Sequence, residues 1–252
     1  MDGFSQHGIT HLSPSSINLW INAPDVWIAE KLFGRRGRPS AAMHRGIAVE
    51  AATVAVLMGE MGLDEAIAAY TASHFDAKFL IGDERTAKQR DLIAPMVKNA
   101  VDALAPYGKP DIPDTDRGQH KITLTCNGNG WSLPFIGYLD FDYQAAGLVI
   151  DLKTTERLPS KMTAEHQVQR CIYAKAKGNT KVSFLYVSSK KAALLSDGDV
   201  NETLARVKAH AARLERLLHS RCKEEIASII PVNDSSFYWN GNEDARREIY
   251  GV

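Results

Sequence analysis

Leu148-Val-Ile-Asp-Leu-Lys153 is a short, largely apolar run that closes on an acid and a base. Its length and its Val and Ile predict a β-strand. Side chains alternate along a strand, so Asp151 and Lys153 share one face while Leu152 points to the other. A charge at the end of a buried strand is costly unless it is paired or bound to a metal, which makes this pair a candidate site. The D-x-K spacing alone decides little, because roughly one such tripeptide arises by chance in a chain this long. Asp76-Ala-Lys78 repeats it in a stretch that reads as helical. There, positions i and i+2 point in nearly opposite directions and cannot form the same pair.

Working upstream, Lys121 to Cys126 alternates like a strand, Asn127-Gly-Asn-Gly130 reads as a turn, and Trp131 to Tyr143 reads as the hairpin partner. Gln144 to Gly147 turns back into the Asp151 strand. A short hairpin sets Asp140 beside Asp151, two like charges that a divalent cation would reconcile; alternatively, Asp140 and Asp142 face solvent near a hairpin end. Downstream, Ala164, Val168, Cys171 and Ile172 recur at helical spacing between Thr163 and Lys177. Gln169 and Tyr173 lie one turn apart beside that stripe. Val182 to Val187 predicts a buried strand, Ala192 to Leu195 a short one, and Asn201 to Ile230 one long helix. The core order is β-β-β-α-β.

The first part of the chain has a different texture. In Leu12-Ser-Pro-Ser-Ser16, Ser13 can cap a helix and Pro14 suits its first turn, with Ile17 and Trp20 on one face. Ala41 to Met58 predicts a second helix, and alanine-rich helices continue to about Leu104. In that second helix Glu50 stands in the middle of a stripe of Met43, Ile47, Val54 and Leu57, where a glutamate needs a cation, a metal ion or a basic residue such as Arg45. Gly46, one turn earlier, allows close approach of another backbone. Pro106 to Arg117 reads as a surface connection. The expected fold is a single α/β (α+β) domain over 1–252: a mainly helical part over 1–117, a central mixed sheet in αβββαβ order over 118–195, and a C-terminal helix and tail over 196–252.

The 252 residues, 44% of them apolar, suffice for a sizeable core. Thirty basic residues balance thirty acidic ones, so a polyanionic partner has to be met by local patches. The three cysteines, Cys126, Cys171 and Cys222, are far apart and fit a reducing cytoplasm better than a disulfide framework. No signal-like start or membrane-length apolar stretch is expected.

Taken together and in order, these segments resemble the PD-(D/E)XK nuclease superfamily, in the branch of the RecB-like domains, phage exonucleases and CRISPR-associated exonucleases. Leu12-Ser-Pro-Ser-Ser16 resembles its opening motif and Gly46-Ile-Ala-Val-Glu50 its G-x-x-x-(H/E) helix. Gly137-Tyr-Leu-Asp140 resembles its G-x-x-D strand, Asp151-Leu-Lys-Thr-Thr155 its D-x-K-T strand, and Gln169-Arg-Cys-Ile-Tyr173 its Q-x-x-x-Y helix. The resemblance implies a restriction-endonuclease-like core and a DNA nuclease, with Glu50, Asp140, Asp151 and the Leu152 carbonyl holding one or two Mg²⁺ ions, for which Mn²⁺ substitutes. Lys153 then orients or helps deprotonate the attacking water and steadies the transition state. Glu50 stands where many relatives have His, which implies a more anionic centre. The cysteines match neither the number nor the positions of the iron–sulfur cluster some relatives carry, so no cluster is expected.

DNA contacts are expected from Gln169, Tyr173, Ser13, Ser15, Arg35, Arg36 and Arg170. Arg38, Lys161, Lys175, Lys190 and Lys191 are further phosphate candidates, each equally readable as solvated surface. His166, one turn before Arg170, could line the cleft. The expected substrate is DNA with a free end, processed in phage or bacterial recombination or repair beside a recombinase or single-strand-binding partner. An endonuclease, a catalytically silent DNA-binding protein and a small-molecule phosphohydrolase are the alternatives.

Overall fold

The computed structural model describes residues 2–79, 84–113, 119–125 and 131–252. Helices α1 (Gly3–Gln6), α2 (Pro14–Asn22), α3 (Pro24–Lys31), α4 (Ala41–Met58), α5 (Leu63–Thr71), α6 (Glu84–Asp91) and α7 (Ile93–Leu104) precede the strands. Then come β1 (His120–Leu124), β2 (Phe135–Leu139), β3 (Phe141–Tyr143), β4 (Leu148–Thr154), α8 (Ala164–Ala176), β5 (Lys181–Val187) and β6 (Ala192–Leu195), followed by α9 (Val200–Leu218), α10 (Lys223–Ile229) and α11 (Glu243–Tyr250). The caps follow the sequence: Ser13 Oγ accepts from the Ser16 amide with Pro14 in the first turn of α2, and Thr163 Oγ1 accepts from the His166 amide at the start of α8.

β3, β4, β5 and β6 form one mixed sheet, in which only β4 and β5 run parallel. Strand alternation divides the core between its two faces. Leu148, Ile150, Leu152, Leu185 and Val187 meet α4 and α7 through Ala48, Val49, Ala52, Met96, Val97 and Ala100. Val149, Val182, Phe184 and Tyr186 join α8 and α9 through Val168, Ile172, Val207 and Leu214. The result is a mixed α/β architecture of helices on both faces of a mixed sheet.

Several expectations change. The segment expected as one strand from Trp131 to Tyr143 is split at Asp140: β2 pairs with β1 in a separate two-stranded sheet, whereas β3 pairs with β4. The turn at 127–130 and Cys126 lie outside the described residues. The long C-terminal helix breaks at Ser220, which takes φ 61. Arg221 Nη1 donates to the Arg216 and Leu217 carbonyls that the break exposes, and the Cys222 thiol caps α10. α4 is 18 residues long with a mean hydropathy of 1.3, enough by length and composition to cross a membrane, contrary to expectation. Here it packs its alanines against the sheet as a core helix.

The stripe proposed around Glu50 is also corrected. Met43 and Ile47 are exposed, and the buried face of α4 is Arg45, Ala48, Val49, Ala52, Thr53 and Ala55. Small side chains let the helix sit close to the sheet, so its burial follows the alanines rather than the bulkier apolar residues. Glu50 stands at the edge of that face, partly exposed.

Candidate active site

Asp151 and Lys153 lie side by side on one face of β4, as alternation requires, and the Lys153 ammonium pairs with Asp151 Oδ1. Their partners in the parallel ladder, Phe184 and Tyr186, share that face. Lys153 Nζ stands 5.4 Å from the centroid of the Phe184 ring, which supports it from below. Asp151 is 1% exposed.

Asp140 occupies the break between β2 and β3. Phe141 pairs with Ile150, so one step further along the ladder Asp140 falls opposite Asp151. The ladder stops there because the Asp140 side chain replaces the backbone: Oδ2 accepts the Leu152 N–H at 2.9 Å. A strand residue projects its N–H and C=O to the same side, so the Leu152 carbonyl faces the same gap. β1 meets the break from the other flank. His120 pairs with Leu139, and Gln119 therefore falls opposite Asp140. Gln119 Nε2 donates to Glu50 Oε1 at 2.7 Å and to Asp140 Oδ1 at 3.3 Å. Glu50 thus reaches the strands from α4 and is not paired with Arg45, which binds Gln89 and Thr154 instead.

The α8 face closes the other side. Gln169 Nε2 donates to Asp151 Oδ2 at 2.6 Å and lies 2.9 Å from Tyr173 Oη, which in turn donates to the Tyr138 carbonyl at 2.8 Å. Gly137 explains how that ring fits, since a Cβ there would stand 2.5 Å from Tyr173 Cε1. Gly137→Ala is therefore expected to destabilise the protein by about 1–3 kcal/mol and to pull Tyr173 off the Tyr138 carbonyl. An unchanged Tm for that variant would refute the packing argument. One turn before Gln169, His166 Nδ1 meets Tyr186 Oη at 2.6 Å and the ring stacks on Phe184. Burial, and then the Lys153 charge, push its pKa down to about 4, so it is a neutral imidazole.

The electrostatics are one-sided. Burial, then the charges of Asp151 and Glu50, hold the Asp140 carboxyl well above its usual range. Burial followed by Asp151 raises Glu50 to about 7, against the opposing pull of Lys153 and the Gln119 hydrogen bond. Burial also raises Asp151, which Lys153 opposes. Burial alone would depress Lys153, but Asp151, Asp140 and Glu50 outweigh it and keep the ammonium protonated. Among the described residues, no group of three or more His, Cys, Asp or Glu side chains is placed, as it stands, to hold a metal ion.

The structure thus brings Glu50, Asp140, Asp151, Lys153, Gln169 and Tyr173 together. The other expected contacts are engaged elsewhere. Ser13 caps α2 and bonds Ser15, Arg35 pairs with Glu248, Arg36 lies 4.0 Å from Glu30, and Arg170 donates to the Val182 and Gly198 carbonyls. Asp76 pairs with Arg90 and not with Lys78. Asp142 does not face solvent but is buried against Lys177. Trp27 is in the core, with Nε1 donating to Ser16 Oγ. Gln119 was not foreseen, because its place depends on the β1–β2 register, and that is fixed by tertiary pairing. Set against known proteins, the chain matches no family model and no curated protein.

Proposed function

We propose that this protein is a Mg²⁺-dependent DNA nuclease with a restriction-endonuclease-like core, acting as an exonuclease in the cytoplasm on DNA with a free end. One observation carries the reading: three carboxylates, from Glu50, Asp140 and Asp151, lie close enough to repel one another, with Lys153 as the cation that acts on all three. That leaves about two uncompensated negative charges when all are ionised, which matches the charge and the oxygen preference of Mg²⁺ or Mn²⁺. Glu50, Asp140, Asp151 and the Leu152 carbonyl would hold the ion, and it would supply a Lewis acid for the scissile phosphate.

The remaining chemistry belongs to the chain. Lys153 orients the attacking water and donates hydrogen bonds to the oxygens on which negative charge develops. Gln169 fixes the Asp151 carboxylate, and Tyr173 locks Gln169 to the β2 backbone, so the acid opposite Lys153 is preorganised. The Phe184 ring, with the neutral His166 stacked on it, packs beside the ammonium.

The test is hydrolysis of end-labelled linear DNA, single- and double-stranded, in Mg²⁺ or Mn²⁺, with a closed circular substrate alongside. Metal-dependent cleavage of linear DNA that falls at least about a hundredfold in Lys153→Ala is expected. Cleavage of the circle would make the protein an endonuclease on the same core. Activity insensitive to Lys153→Ala would overturn the mechanism.

A further inference from the structure

Gln119 is bonded to both partly exposed acids of the site, yet its side chain has no obvious structural task. Nε2 lies 2.7 Å from Glu50 Oε1 and 3.3 Å from Asp140 Oδ1. The orientation of the amide is fixed by chemistry, because the reverse would turn its oxygen toward two carboxylates. An ion held jointly by Glu50 and Asp140 needs the same ground, between the same two oxygens. The carboxamide supplies two N–H donors there but no charge, so it calms the repulsion without neutralising it. Its position is built in, because the β1–β2 register sets Gln119 opposite Asp140 and the β3–β4 register sets Asp140 opposite Asp151.

We propose that Gln119 is a latch on the cation centre: its carboxamide bridges Glu50 and Asp140 in place of a divalent cation and must swing aside for that cation to bind. The inference rests on reading these acids as a cation centre. Gln119 lies just before β1 and is partly exposed, so withdrawal needs only side-chain rotation toward solvent. The latch holds the resting affinity for the ion down and keeps the two acids apart from other donors until the ion arrives. It is a positioning residue, since it touches the acids and not the substrate.

The test is direct titration of the full-length protein with Mn²⁺ at pH 8, following free Mn²⁺ by electron paramagnetic resonance, together with thermal melts in EDTA and in Mn²⁺. Gln119→Ala is expected to bind Mn²⁺ about tenfold more tightly than wild type, because the ion no longer displaces two charge-assisted hydrogen bonds. In EDTA the same variant is expected to melt below wild type, so the two readouts move in opposite directions. A purely structural role would lower the melting temperature and leave Mn²⁺ affinity alone. Gln119→Glu, which adds a fourth acid, is expected to bind Mn²⁺ more tightly still and to be the least stable in EDTA. Mn²⁺ affinity in Gln119→Ala that is unchanged or weaker overturns the latch while the cation centre stands. Absence of Mn²⁺ binding in wild type and both variants overturns the centre and the latch together.

Discussion

Asp140→Asn is expected to lower metal-dependent cleavage by on the order of 10³-fold while raising the melting temperature in EDTA by a few degrees. The two effects share a cause. Asparagine keeps an oxygen that can accept the Leu152 N–H now held by Asp140 Oδ2 at 2.9 Å, so the break between β2 and β3 is preserved. What disappears, once the carboxyl is ionised, is a negative charge that burial, Asp151 and Glu50 all disfavour. Removing it relieves the folded protein and, in the proposed cation centre, deprives a divalent ion of a ligand, which is the usual opposition between stability and activity at a site built of like charges. Asp140→Ala separates the contributions. It loses the same charge but also strands the Leu152 amide, at a cost of about 1–3 kcal/mol, so it is expected to melt below Asp140→Asn. Turnover of linear DNA in Mg²⁺ and melts in EDTA measure both. An Asn variant within tenfold of wild-type activity, or less stable than wild type, would count against Asp140 as a ligand.

Much of this arrangement is legible in the sequence because it follows from local rules. Alternation along β4 puts Asp151 and Lys153 on one face, and helical spacing puts Gln169 and Tyr173 one turn apart facing them. Ser13 is a standard cap residue and caps the helix expected of it. The misreadings arise where tertiary packing overrides local preference. Glu50 is drawn to the site, but not by the apolar stripe of Met43 and Ile47, since α4 buries its alanines instead. Asp140 is reached through a break in a strand, where an acid substitutes for backbone pairing, and alternation in the sequence gives no sign of such a break. That Arg170 Nε and Nη1 donate to the Val182 and Gly198 carbonyls is likewise set by tertiary packing, of which composition gives no sign. Gln119 is an ordinary polar residue until the register of β1 and β2 sets it beside Asp140.

At the proposed cation centre, the acids are expected to make ion binding and stability depend on pH in opposite senses. Glu50 has its carboxyl raised to about 7, by burial first and by Asp151 second, from an ordinary value of 4.5. Between those values the folded chain holds a proton that the unfolded chain has released. Stability falls wherever the folded state binds more protons, so in EDTA the Glu50 contribution is expected to decline as pH rises from about 4.5 to about 7 and to level off above. Glu50→Gln lacks that proton and is expected to show a flatter profile over the same window, with the two proteins closest in stability at the acid end. Mn²⁺ reverses the trend. Below pH 7 the ion has to displace the Glu50 proton, so its affinity is expected to weaken by about tenfold per pH unit for each proton released. Asp140, raised by the same burial and charges, steepens that dependence. The melting-temperature gain on adding Mn²⁺ should therefore grow from pH 5.5 to pH 7.5 in wild type and grow less in Glu50→Gln. Parallel wild-type and Glu50→Gln profiles in EDTA, or a Mn²⁺ gain independent of pH, would show that Glu50 neither carries that proton nor gives it up to the ion.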